Sequence, residues 1–242
     1  MSTSGSADLA TSGGSICRAA YRIVHSSSSA YTLQPEELVD YLEALNFLVK
    51  NLMGPPNYLM RGVKTWQRST ESLTLAAKLE YSFKTSGGDL DVNIPVGIIQ
   101  ANYKQDDTEI PLVKMTYEEY FSISDKTSTG NPTKYQYERR LDEGLFRVNL
   151  IPTAAMIANG DTVELAYLTP LEDFDSQANE PFFPQEWYRP LKWLLAQEMS
   201  PEAGKRVPPD VAALAKQSSE IANSIDREET SLYFEPDNPE LY

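Results

Sequence analysis

The 242-residue sequence has one cysteine and one histidine, and this scarcity excludes several kinds of site. A single cysteine, Cys17, cannot form an intrachain disulfide, and a zinc site rich in His or Cys needs several such ligands. Any Ser-His-Asp or Cys-His catalytic arrangement would have to use His25. His25 precedes a serine run at the end of an apolar helical pattern, which predicts a helix-end or surface histidine. Cys17 lies within that pattern and is predicted to be a buried, inert thiol. The predicted apolar face of this helix consists of Ile16, Ala19, Ala20, Ile23 and Val24.

Long apolar runs and clusters of cations are also missing. No stretch approaches the ~18 consecutive apolar residues of a membrane span, so no membrane contact is expected. The N-terminal residues carry neither a basic patch nor an apolar block, which argues against a secretory signal. The net charge is −14, and the basic residues come in pairs such as Arg139-Arg140 and Lys205-Arg206. Tight nucleic-acid binding needs clustered cations and is not expected, whereas an acidic wall lets DNA slide past without sticking.

Enzyme signatures are equally scarce. The sequence has no dinucleotide-binding or Walker motif, and Gly87-Gly88 reads as a turn, so neither a cofactor nor a metal is predicted. Acidic pairs of the kind used by glycosidases do occur, but in turn-like, exposed contexts that predict solvated charge and no raised pKa. We therefore expect a protein that is not an enzyme. The acidic groups in question are Glu118/Glu119, Asp106/Asp107 and Glu172/Asp173/Asp175.

The order of patterns predicts an α+β fold. Helices from the N- and C-terminal parts are expected to pack together, with a small antiparallel β-sheet or sandwich inserted between them. The predicted organisation is a flexible arm (1–12), N-terminal helices (13–56), a β-rich region (57–170), C-terminal helices packing on the N-terminal ones (171–229) and a C-terminal extension (230–242).

Helical periodicity marks both ends of the chain. One helix is predicted from Pro35 to the breaker Gly54-Pro55-Pro56, with Tyr41 on its apolar face. Another starts near Glu186 or Trp187, because Pro190 fits without strain only in a first turn, and Ser200-Pro201 is expected to interrupt its end. Its predicted apolar face consists of Trp187/Tyr188, Leu191, Leu194/Leu195 and Met199. A last helix follows Val207-Pro208-Pro209, and its apolar positions allow either a self-association seam or packing on the preceding helix. Two small residues at those positions favour packing. The positions are Val211, Leu214, Ala215, Ser218, Ile221/Ala222 and Ile225.

A period of two replaces the helical pattern from about Glu71 onward. The clearest hairpin places Tyr135 and Tyr137 opposite Phe146 and Val148 across a short turn. Thr116 is predicted to cap one helical turn, with the glutamate three residues later completing a capping box. The strand candidates after the first are Val96–Lys104, Glu109–Met115, Lys134–Arg140, Leu145–Ile151 and Thr162–Leu168.

The C-terminal extension combines prolines and acidic residues with a group of large apolar side chains. Its composition does not fit a regular element, yet a merely solvated tail would not normally carry so much apolar surface. Two interpretations stay open: the segment orders against a partner protein, or it folds back on its own domain. The candidate partner-binding residues are Leu232, Tyr233, Phe234, Leu241 and Tyr242.

The sequence contains a helix followed by PEELVDYLEALNFLVKNL, and further along the chain two long segments with a distinctive pattern. These segments are YEEYFSISDKTSTGNPTKYQYER and PFFPQEWYRPLKWLLAQEMSPEAGK. In this order, and over roughly residues 15–225, the pattern resembles head-to-tail adaptor (connector) proteins of tailed, especially short-tailed, bacteriophages.

The resemblance implies a structural protein of the virion, located at the head–tail junction and made in the host bacterial cytoplasm. Such adaptors form a ring, typically dodecameric, under the portal protein, extend the DNA channel and dock a tail tube or nozzle protein. DNA passes through the channel without sequence-specific binding. A C-terminal extension of such proteins often grips the portal. Two alternatives from other classes are a carboxylate-based cell-wall hydrolase and a receptor-binding tail module.

Overall fold

The computed structural model describes residues 9–25, 33–53 and 65–225, which belong to two compact units. A helical unit combines the described residues before Trp66 with those from Phe174 onward. A β unit spans Trp66–Asp173. The predicted α+β class is confirmed, because helices from both ends of the chain pack together and the β region is inserted between them in the sequence.

The described residues form six α-helices and nine β-strands. The helices are α1 (Gly13–His25), α2 (Pro35–Leu52), α3 (Tyr117–Phe121), α4 (Ala154–Asn159), α5 (Tyr188–Glu202) and α6 (Pro209–Ile225). The strands are β1 (Arg68–Thr74), β2 (Glu80–Lys84), β3 (Leu90–Asp91), β4 (Gly97–Gln105), β5 (Thr108–Pro111), β6 (Val113–Lys114), β7 (Lys134–Arg139), β8 (Gly144–Val148) and β9 (Thr162–Leu168). Among these helices none is both long and apolar enough to cross a membrane.

Helix α5 is the helix on which α1, α2 and α6 all pack. Its predicted apolar face is confirmed, because Trp187, Leu191 and Leu195 are completely buried. A 3-10 turn, Gln185–Trp187, leads into the helix. Pro190 is therefore the third residue of α5, where a backbone N–H would have no partner within the helix, so the proline removes no hydrogen bond.

The predicted interruption at Ser200-Pro201 is wrong, since α5 continues through Pro201 to Glu202. Gly204 follows the C-cap residue Ala203 and has φ +69°, a conformation that glycine adopts without strain. The N–H of Gly204 donates to Pro201 and the N–H of Lys205 donates to Ser200, both at 2.9 Å. These two bonds form a Schellman cap, which satisfies the last carbonyl groups of the helix.

The N-terminal helices bury faces that differ in detail from the predicted ones. Helix α1 buries Cys17, as predicted, and burial raises the pKa of its thiol to about 12. Tyr21, which was not assigned to the apolar face, is buried beside it. Helix α2 starts at Pro35, as predicted, and the N–H of Gln34 donates to the Glu37 carboxylate at 3.0 Å.

The β unit contains two sheets, with strand orders β1-β9-β4-β5 and β3-β2-β8-β7-β6. The first sheet is antiparallel, as predicted. The second is mixed, because β3 runs parallel to β2 and β6 runs parallel to β7, each over two residue pairs. The expectation of antiparallel pairing throughout is corrected here, since alternation of apolar and polar residues reports which face is buried and carries no information on strand direction.

The two sheets share one apolar core. Val163, Leu165 and Tyr167 of β9 contribute from the first sheet, and Phe146 and Val148 of β8 contribute from the second. The predicted hairpin is confirmed with its register, which pairs Tyr135 with Val148 and Tyr137 with Phe146. The predicted capping box at Thr116 is also confirmed.

Arg147 of β8 lies on the other face of the second sheet, and only 3% of its side chain is exposed. Its guanidinium donates to Glu80 at 2.7 Å, to Gln136 at 2.7 Å and to Glu138 at 2.6 Å. The ring of Tyr120 from α3 lies 5.2 Å from the guanidinium carbon. This arginine therefore fastens α3 to the sheet and satisfies a buried amide oxygen.

Candidate functional site

Two of the acidic pairs considered for hydrolysis occupy a turn and a helix cap, and the third group, Glu172/Asp173/Asp175, lies in a segment without regular structure. Asp106 and Asp107 form the two-residue turn between β4 and β5, with Asp106 at φ +50°. Glu119 closes the cap of α3 by accepting the Thr116 N–H at 2.6 Å, and this hydrogen bond lowers the pKa of its carboxyl. A general acid needs a raised pKa, so the local geometry favours a structural role for Glu119. The predicted partner-binding residues, from Leu232 to Tyr242, lie outside the described residues.

A groove with a volume of about 440 Å³ opens among α1, α2 and the C-terminal end of α5. Its size lies within the ~300–1,000 Å³ typical of ligand sites. Four carboxylates, three aromatic rings and one imidazole contribute to its lining. The lining residues are Tyr21, His25, Glu37, Asp40, Tyr41, Glu43, Ala44, Phe47, Met199, Glu202 and Ala203.

Helical spacing brings these groups together. Tyr21 and His25 are four residues apart on α1, so their side chains meet, and their rings stack with centroids 4.2 Å apart. Tyr41 of α2 meets Tyr21 edge-on, with ring centroids 5.5 Å apart. The Tyr21 hydroxyl donates to Glu37 at 3.2 Å. Because Glu37 also accepts the N–H of Gln34, its carboxylate is fixed at the start of α2.

The groove is negatively charged at neutral pH. Glu37, Asp40, Glu43 and Glu202 supply its carboxylates. The pKa of His25 is lowered, first by burial and then by the nearby Lys205 ammonium, while Glu37 acts in the opposite direction. The Lys205 ammonium lies 3.5 Å from Nδ1 of His25. A neutral imidazole leaves the charge of the carboxylates uncompensated by His25.

The hydroxyl of Tyr41 is buried without a hydrogen-bond partner. Only 4% of the residue is exposed, and its pKa is raised, mainly by burial and then by Tyr21 and Glu37. The hydroxyl therefore stays protonated and keeps an unused donor and an unused acceptor. A buried polar group left unpaired costs about 1–3 kcal/mol, so such groups call for an explanation.

Two exposed apolar stripes flank the helical unit's packed faces. On α2, Val39 and Phe47 are eight residues apart on one side of the helix and are each 62% exposed. On α6, Ile221 and Ile225 are 47% and 57% exposed. The last helix was predicted to bury both isoleucines; instead α6 packs on α5 through smaller residues, including Ala215 and Ala222, which turns Ile221 and Ile225 outward.

Sequence reasoning missed the groove, because it assigned Tyr41 to an apolar face and His25 to a helix end. One signal was present: a tyrosine at a core position with acidic residues at Glu37, Asp40 and Glu43 around it on the same helix. Neither the comparison with protein-family models nor that with curated proteins finds a match for this chain.

Proposed function

We propose that this protein is a head-to-tail adaptor of a tailed bacteriophage. In this proposal copies of the chain form a ring, of dodecameric size, beneath the portal protein. The ring extends the DNA channel and presents a docking surface for the tail tube or nozzle. In this proposal the protein is a structural part of the virion, and it acts by binding neighbouring proteins and not by catalysis.

The observation that carries the proposal is the pair of exposed apolar stripes on α2 and α6. A ring built from head-to-tail contacts needs two different, complementary surfaces on each subunit. The α2 stripe combines Val39 and Phe47 with acidic neighbours such as Asp40 and Glu43. The α6 stripe consists of Ile221 and Ile225, which lie one helical turn apart. The exposed apolar groups of the α2 stripe of one copy would suit contact with those of the α6 stripe of the next.

The structural roles of the resembling segments support the same proposal. The segment PFFPQEWYRPLKWLLAQEMSPEAGK forms the turn and helix α5, on which the other three helices of the unit pack. The segment YEEYFSISDKTSTGNPTKYQYER runs from α3 through β7 in the β unit. Each resembling segment therefore supplies a central part of its unit. These roles agree with the adaptor arrangement, in which helices form the ring.

The net charge of −14 supports passage of DNA rather than its capture. A channel wall of this sign repels the phosphate backbone, which keeps a duplex mobile during packaging and ejection. The extension with Leu232, Tyr233 and Phe234 is proposed to contact the portal. A chain ending at Thr230 should therefore bind portal more weakly while its far-ultraviolet circular dichroism and oligomeric state stay unchanged.

The test is the native mass and negative-stain image of the full chain, alone and mixed with portal protein of the same phage. Closed rings are expected. Phe47→Glu and Ile221→Glu should each prevent ring closure, because each places an unpaired charge where about 1.5–3 kcal/mol of apolar burial is expected at every contact. Leu141→Glu is the matched control, since Leu141 is 92% exposed on a turn of the β unit. A chain that stays monomeric even with portal would contradict the proposal.

A further inference from the structure

We propose that the groove among α1, α2 and α5 binds an arginine side chain presented by a partner protein. The occupant is a basic segment whose guanidinium enters between the Tyr21 and Tyr41 rings and the carboxylates of α2. The inference names the chemistry of one partner contact and in that respect rests on the proposed function.

Charge complementarity identifies the occupant as a cation. Asp40 and Glu43 are exposed at the groove, and Glu202 adds a third carboxylate from α5. Each of these is available to an incoming ligand, whereas Glu37 already accepts two hydrogen bonds. A cationic group that binds here is attracted to the carboxylates and offsets the repulsion among them.

The apolar walls distinguish an arginine from a small ion. Tyr21, Tyr41, Phe47 and Met199 line the same space as the carboxylates. A guanidinium is planar and weakly hydrated, so it stacks on aromatic rings while its N–H groups pair with carboxylates. In the described part of the chain, no three His, Cys, Asp or Glu residues lie close enough to hold a metal ion. The walls therefore suit a cation with an apolar stem.

The Tyr41 hydroxyl supplies a second, independent observation. It is buried, has no partner within the fold and belongs to a residue that lines the groove. Its electrostatic neighbours are the buried Cys17 and three residues of the groove lining, Tyr21, Glu37 and Glu202. An N–H of a guanidinium would donate to this oxygen, and the buried group would then gain the partner that it lacks.

His25 provides the readout. It is the only histidine of the chain, so its imidazole C–H signals in proton NMR are unambiguous, and its ring lines the groove. The probe is N-acetyl-arginine methylamide, added to the full-length protein at low ionic strength. The matched probe is N-acetyl-citrulline methylamide, which keeps the shape and removes the charge. The arginine probe should shift the His25 signals to saturation and lower the pKa of the imidazole, whereas the citrulline probe should leave both unchanged.

Variants assign the effect to the groove. Asp40→Asn and Glu43→Gln should each lower the affinity for the arginine probe about twofold to fivefold, as expected for the loss of an exposed ion pair. Glu36→Gln removes the same charge from an exposed position of α2 outside the groove lining and should leave affinity unchanged. Tyr41→Phe should weaken binding while retaining the ring.

Four results would overturn the inference. The first three are equal shifts of the His25 signals with the citrulline probe, equal weakening of arginine binding by Glu36→Gln, and His25 signals that stay unchanged at high concentrations of the arginine probe. Stronger binding of N-acetyl-lysine methylamide would also contradict it, because simple attraction to charge would then suffice.

The groove shares Asp40, Glu43 and Phe47 with the α2 stripe, so Tyr41→Phe, a change outside that stripe, distinguishes the two proposals. It should weaken the arginine probe and leave the ring, followed by mass and imaging, unchanged.

Discussion

Replacing Tyr41 by phenylalanine should stabilise the helical unit, which is the opposite of what loss of a buried polar contact normally does. The substitution keeps the ring, with its edge-on contact to Tyr21 at 5.5 Å, and removes a hydroxyl that has no partner. Leaving a buried polar group unpaired costs about 1–3 kcal/mol. From the lower end of this range, we expect the free energy of unfolding to rise by about 1 kcal/mol.

The matched control is Tyr81→Phe in the β unit, where the same atom is removed from a satisfied position. The Tyr81 hydroxyl donates to the Ala76 carbonyl at 2.9 Å and accepts the Ala76 N–H at 3.1 Å. Its loss leaves the Ala76 N–H without a partner, whereas the Ala76 carbonyl still accepts the Lys78 N–H at 2.7 Å. The free energy of unfolding should fall by about 1–2 kcal/mol. The same chemical change, removal of a tyrosine hydroxyl, is therefore expected to raise the free energy of unfolding at Tyr41 and to lower it at Tyr81.

Differential scanning calorimetry of the intact chain is the assay, and the midpoint of unfolding is the readout. Tyr41→Phe should raise the midpoint and Tyr81→Phe should lower it, each by roughly 2–4 °C per kcal/mol for a chain of this size. If Tyr41→Phe lowered the midpoint while Tyr81→Phe behaved as expected, the Tyr41 hydroxyl would have a partner within the fold. The reasoning about the groove would then be refuted.

Three further predictions concern single residues. Arg147→Met should lower the β unit's stability by about 1–3 kcal/mol in urea titration, because Gln136 loses its donor; a change below about 0.5 kcal/mol would refute this. Gly204→Ala should cost about 1 kcal/mol, since alanine is strained at φ +69°, and an unchanged melting midpoint would argue against the cap. Because the folded-state pKa of His25 lies below its ordinary 6.5, the unfolded chain takes up the proton first as pH falls. The free energy of unfolding should therefore decline as pH falls through about 6.5 and level off below the folded-state pKa. The substitution His25→Asn should remove this decline. The substitution Lys205→Met should raise the pKa of His25, as measured by NMR.

Local patterns predicted the parts of the fold that local physics determines. The hairpin between β7 and β8 follows from alternation on both sides of a short turn, and its register is the one predicted. The cap of α3 follows from Thr116 and Glu119, whose side chains satisfy backbone N–H groups of the first turn. Each of these features depends on residues that are close in the sequence.

Features that depend on tertiary packing were predicted less well. Ile221 and Ile225 satisfy a helical apolar pattern, yet α6 packs through small residues and leaves them exposed. Periodicity locates an apolar stripe but does not say which of two adjacent stripes a neighbouring helix covers. Strand direction in the second sheet was missed for a related reason, because two-residue pairings leave no signal in the alternation.

The groove could not be predicted because its walls come from three helices that are distant in the sequence. Tyr21, Tyr41 and Glu202 meet only when both ends of the chain pack on α5. The unpaired state of the Tyr41 hydroxyl is likewise a property of the packed unit, since in a single helix the group would face water. The acidic residues around Tyr41 in the sequence indicated a charged surface, but the positions of the groove walls follow only from the packing of the helices.

Imaging the purified full-length chain with portal protein tests the central claim most directly. The account predicts closed rings of one size seated on the portal, and their loss in Phe47→Glu but not in Leu141→Glu. A chain that remains monomeric in the presence of portal, or that forms open filaments of variable length, would contradict it.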